Sequence, residues 1–114
     1  MTKKVVFYLE DIIDSISKLE SFVKDMHKKD FSKDIKTQDA VVRRLEIIGE
    51  AVKNIPDELK KSYPNVEWRA IAGTRDVLIH AYSKVDISLI WDIVKKDLPG
   101  FKKQIKEIFK VFSE

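Results

Sequence analysis

Lys4-Val-Val-Phe-Tyr-Leu-Glu-Asp-Ile-Ile-Asp-Ser-Ile-Ser-Lys-Leu-Glu-Ser-Phe-Val-Lys-Asp-Met-His-Lys-Lys29 places apolar residues at Val5, Leu9, Ile12, Ile16, Leu19, Val23 and Met26, separated by alternating gaps of four and three. That period is the stripe of one long amphipathic helix, predicted here from about Lys4 to Lys29. Ile13 and Phe22 widen the stripe, as expected for a helix packed against two neighbours. Phe31-Ser-Lys-Asp34 then breaks the period.

The same reading extends outward. Thr37 is the expected N-cap of a second helix with the stripe Val41, Leu45, Ile48, Val52 and Ile55, ended by Pro56. Gly49 in its middle costs about 1 kcal/mol relative to alanine, so a close helix crossing is expected there. Residues 56–64 form a short connector between two prolines. Asn65 is the expected cap of a helix from Val66 to about Tyr82, with Trp68, Ile71, Val77 and Leu78 inward. Asp86 then caps a helix carrying Ile87, Ile90, Trp91, Val94 and Leu98. Pro99-Gly100 is expected to interrupt or kink the chain before a last helix with Phe101, Ile105, Ile108 and Phe112 inward. No period-2 segment, repeat or linker is found, so the expected fold is a single all-α domain over residues 1–114. It would be an up-and-down bundle of about five main helices. The stripes are wide enough for a homodimer.

Composition limits the chemistry. There are no cysteines, which removes disulfides, thiolate metal sites and cysteine nucleophiles. Two histidines remain, and no metal-ligand cluster or cofactor motif is found. The N-terminus lacks the pattern of a secretory leader, and no apolar run reaches the roughly 18 residues of a membrane span, so a cytoplasmic protein without membrane contact is expected. With 22 basic and 19 acidic residues the net charge is +3, which permits a polyanion partner without requiring one.

Chemistry concentrates in Arg75-Asp-Val-Leu-Ile-His-Ala-Tyr82, which sets a guanidinium, a carboxylate, an imidazole and a phenol within eight residues. Arginine offers a fixed fork of donors for phosphate, and histidine can take or give a proton near neutral pH. Together they suffice for RNA cleavage through the 2′-hydroxyl without metal. On helical spacing Arg75 and Tyr82 share a face, Asp76 and His80 are an i, i+4 pair, and Arg75 and His80 are offset. By itself that spacing is more often a solvated arginine, a hydrogen-bonded histidine such as one paired to Asp76, and a packing tyrosine. Elsewhere, His27 among Lys24, Lys28 and Lys29 reads as a surface residue at a helix C-terminus, and Trp68 and Trp91 as core or interface residues.

Arg75-x4-His80-x-Tyr82 resembles the signature of the HEPN superfamily, in particular the HepT-like toxins encoded beside minimal nucleotidyltransferase antitoxins. Arg44-Leu-Glu-Ile-Ile-Gly-Glu-Ala51, Trp68-Arg-Ala-Ile-Ala-Gly-Thr-Arg-Asp76, and Trp91 followed by Asp97-Leu-Pro-Gly100 stand in the order found in that family, so the resemblance covers nearly the whole chain. It implies a toxin ribonuclease of a type VII-like system, with Arg75 and His80 as the catalytic pair and Asp76 in support. It also implies a cleft shared by two protomers, and Tyr82 as the residue to which the nucleotidyltransferase adds AMP. The alternative is a non-catalytic member that binds a nucleotide or substrate for that enzyme.

Overall fold

The computed structural model describes residues 3–81 and 87–113, which form helices joined by short turns with no strand among them. In chain order the elements are α1 (Lys3–Val23), α2 (Lys28–Phe31), α3 (Ile35–Asn54), α4 (Asp57–Ser62), α5 (Trp68–Ala81), α6 (Ile87–Asp92) and α7 (Leu98–Phe112). A π-helical turn over Ile93–Asp97 joins the last two. Helix α1 packs against α3 and α7, and α5 packs against α3. The expected all-α bundle is therefore the observed fold.

The stripes read from sequence become the core. Val5, Leu9, Ile12, Ile16, Leu19 and Val23 are all buried, as are Val41, Leu45, Ile48, Val52 and Ile55. Trp68, Leu98, Phe101, Ile105 and Ile108 join them, and Trp68 meets Phe101 edge-on with ring centroids 6.2 Å apart. Burial of such side chains stabilises by roughly 1.5–3 kcal/mol each, the main force closing the bundle. Lys102 Nζ donates to Glu20 Oε1 at 2.6 Å, tying the beginning of α7 to the end of α1, so the two run antiparallel.

Helix boundaries differ from the sequence expectations for identifiable reasons. The first helix stops at Val23 rather than Lys29, because His27 is extended (φ −94°, ψ 164°) and opens α2. The His27 N–H donates to Asp30 Oδ2 at 2.9 Å, so this exposed histidine sits at the start of α2 and not at a helix C-terminus. Phe31, expected only to break the period, is fully buried and stacks at 5.3 Å, tilted by 39°, on Trp91. Phe22, expected to widen the stripe, is 38% exposed, whereas Ile13 packs against the core.

Asp34, not Thr37, caps α3. Its carboxylate accepts from the Thr37 N–H at 3.0 Å and from the Thr37 hydroxyl at 2.8 Å. The Thr37 backbone hydrogen bond, then that from its side chain, hold the Asp34 carboxyl below the ordinary aspartate value. A depressed folded value means that this contribution is complete above the unfolded value and is lost as pH falls through the folded one. Asp34→Ala should lower the unfolding midpoint at neutral pH, and the gap to wild type should close in strong acid. Thermal unfolding followed at several pH values checks this, and a gap that persists in strong acid would contradict it.

Helix α5 begins at Trp68, later than the expected Val66. Residues before it form a turn, with the Val66 N–H donating to the Tyr63 carbonyl at 3.2 Å and the Trp68 indole N–H donating to the same oxygen at 3.1 Å. At the other end, Pro99-Gly100 does not interrupt the chain. Pro99 stands in the first turn of α7, where its missing N–H does least harm, and the backbone stays helical from Asp92 through Leu98. The expected cap Asp86 lies outside the described residues.

Candidate active site on the α3–α5 face

Arg75 is placed by a helix crossing. A Cβ built at Gly49 on α3 would lie 3.6 Å from the Arg75 Cβ and 3.8 Å from the Ala72 carbonyl oxygen. The expected close crossing is thus present, at ordinary contact distance for one added methyl group. Gly73, by contrast, has nothing within 4 Å of such a Cβ among the described residues. Nearby, Thr74 is buried with its hydroxyl donating to the Ile71 carbonyl at 2.7 Å, which turns its polar atom inward along the helix.

From that crossing the Arg75 side chain extends to the surface. Its Nη1 donates to Glu50 Oε2 at 2.8 Å, and the two side chains are 43% and 57% exposed. The pair lines an open cleft of about 360 Å³ between α1, α3 and α5. Tyr8 and Asp11 line it from α1, Arg43, Glu46 and Asn54 from α3, and Arg75 from α5, over a floor including Ile47 and Ala51. Glu46 Oε2 lies 3.8 Å from Arg43 Nη1, so two carboxylates one turn apart on α3 each face a guanidinium. With Asp11, three carboxylates and two guanidinium groups border the cleft.

Of the residues singled out in the sequence, Arg75 lines this cleft. Asp76 follows Arg75 and is exposed, and His80 lies on the same helix. The side chain of His80 and the whole of Tyr82 lie outside the described residues. Glu50 was missed as a site residue, because a partner 25 positions away leaves no mark in local spacing. Among the described residues no group of three His, Asp or Glu side chains is placed to hold a metal ion, and no helix is long and apolar enough to cross a membrane.

Comparison with known proteins adds a match over residues 12–108 to the family described as ribonuclease HepT-like. The chain belongs to that family. A Thermococcus cleftensis protein named "Probable ribonuclease HepT" is 48% identical over 103 residues, covering 90% of this chain and 94% of its own length. A Methanocaldococcus jannaschii protein named "Gamma-glutamylcyclotransferase and putative RNase" is 45% identical over 108 residues, 95% of this chain. Only 49% of that relative is covered, so the chain spans about half its length. No solved structure matches the chain. HepT-like membership agrees with the all-α bundle and with the resemblance carried by the segments around Gly49 and Arg75.

Proposed function

We propose that this protein is the toxin of a HEPN and minimal nucleotidyltransferase pair, a metal-independent endoribonuclease acting in the cytoplasm. The observation that carries the reading is the half-exposed Arg75 guanidinium lining an open surface cleft, in a chain of the HepT-like ribonuclease family. Arg75 would bind the scissile phosphate and stabilise the charge that builds on its oxygens. His80 would act in proton transfer. The ribose 2′-oxygen loses its proton and attacks the adjacent phosphorus, and the bond from phosphorus to the 5′-oxygen breaks as that oxygen gains a proton. A 2′,3′-cyclic phosphate and a 5′-hydroxyl result.

A homodimer supports this chemistry better than one copy. Five residues along an α-helix amount to about 7.5 Å of rise and a rotation of about 140° from the starting face. Two copies would bring two imidazoles to one cleft, one to take the proton and one to supply it. They would also bring two Arg75 guanidinium groups to one RNA.

Tyr82 would be the control point. Transfer of AMP from ATP to its phenol oxygen forms an oxygen–phosphorus bond, releases pyrophosphate and gives up the phenol proton. The product adds bulk and negative charge beside the phosphate site, which repels RNA. Co-production with a minimal nucleotidyltransferase should therefore add mass in increments of one AMP, lost in Tyr82→Phe, and should silence cleavage that otherwise survives EDTA. Protein that binds nucleotides yet leaves RNA intact over a range of pH would instead indicate the non-catalytic partner of a nucleotidyltransferase.

A further inference from the structure

Helix α3 constrains Arg75 at both ends of its side chain. Gly49 lies beside its Cβ at the crossing, and the next residue, Glu50, accepts a hydrogen bond from Nη1 at 2.8 Å. An arginine side chain otherwise loses up to about 2 kcal/mol of rotamer entropy when it is fixed. The contact occupies one amine, and among the described residues nothing else holds the second amine or Nε, which form the other edge of the planar fork. A phosphate bound in bidentate fashion needs one such edge. The ion pair is largely exposed and so contributes little to stability, typically under about 1 kcal/mol. Its carboxylate also sets a negative charge near any bound phosphate, which weakens ground-state binding of RNA. What the contact does supply is direction.

We infer that Glu50 is a positioning residue for phosphate recognition: it holds the Arg75 guanidinium by one amine so that the opposite edge is presented to the scissile phosphate of RNA. This rests on the ribonuclease reading above. Orientation of a charge-stabilising group matters most where charge develops, so the effect belongs to the cleavage step rather than to binding.

The test compares Glu50→Ala, Glu50→Gln and Arg75→Ala with wild type. Single-turnover cleavage is measured at saturating protein, and the Kd is measured for an RNA whose 2′-hydroxyl at the cleavage site is replaced by hydrogen. Glu50→Ala should slow cleavage roughly tenfold or more, within the hundredfold that small misplacements cost, while the Kd stays the same or tightens. Glu50→Gln, which keeps an oxygen acceptor, should recover most of the rate. A fold made loose by Glu50→Ala would show in thermal unfolding, and Glu50→Gln against wild type then carries the comparison.

Arg75→Ala that still cleaves at the wild-type rate defeats the ribonuclease reading itself. Arg75→Ala inactive with Glu50→Ala unimpaired overturns the positioning role alone. Faster cleavage by Glu50→Ala also overturns it, because Glu50 would then compete with phosphate for Arg75. Glu50→Gln as slow as Glu50→Ala excludes the hydrogen bond as the cause.

Discussion

Arg75→Ala is expected to cripple RNA cleavage while leaving the helical fold intact. The fold should survive because the side chain is 43% exposed and its described partner, Glu50, is 57% exposed. Pairs of that kind contribute about 0–1 kcal/mol. Activity should fall by roughly a hundred- to a thousandfold, the usual cost of removing one donor that stabilises developing charge. Arg75→Lys should restore little, since a point charge replaces a planar fork. His80→Ala should cost about a hundred- to ten-thousandfold through lost proton transfer. In the double variant the two losses should not multiply, because the groups act on one transition state. Cleavage of a labelled RNA with EDTA present, alongside circular dichroism, decides the matter. Variants that cleave normally would show that the activity lies elsewhere.

The second large effect is on stability. Phe31→Ala should destabilise the protein by about 3–5 kcal/mol, the range for deleting a buried aromatic side chain. A domain of this size is commonly stable by only about 5–15 kcal/mol, so partial unfolding at modest denaturant concentration is expected. The reason is local. Phe31 is fully buried, its ring lies 5.3 Å from that of Trp91, and Lys95 Nζ lies 4.9 Å from the Trp91 ring. Its own backbone carbonyl accepts from Gln38 Nε2 at 2.8 Å, which links α2 to α3. Truncation would leave a cavity among α2, α3 and α6. Guanidinium unfolding gives the test, with Phe31→Leu expected to lose much less. A loss under about 1 kcal/mol for the alanine variant would mean that α2 is not an anchor.

The long helices were legible because burial follows period, and period is visible in one sequence. Val5 through Val23 and Val41 through Ile55 could be placed without any knowledge of their neighbours. Phe31 could not, because a single helical turn has no period to reveal it. The caps failed for a related reason. Asp34 and Thr37 are both good cap residues three apart, and the geometry that lets one carboxylate satisfy both the N–H and the hydroxyl of Thr37 is three-dimensional.

The site divided in the same way. The proposed grouping of Arg75, Asp76, His80 and Tyr82 rests on local spacing, which one sequence shows. Glu50 reaches Arg75 through a crossing between helices, where Gly49 packs beside Arg75.

The wide turn between α6 and α7 did leave a trace that is easy to pass over. Buried positions Ile90, Val94 and Leu98 are separated by two successive steps of four, where an ordinary helix alternates three and four. Those steps match the looser winding of Ile93–Asp97 just before Pro99. The turn thus acts as a phase adjuster between two parts of one rod. It lets Trp91 face Phe31 while Phe101, Ile105 and Ile108 face the bundle interior. Losing a single residue there would force the turn to rewind and would change the direction in which the buried face of α7 points.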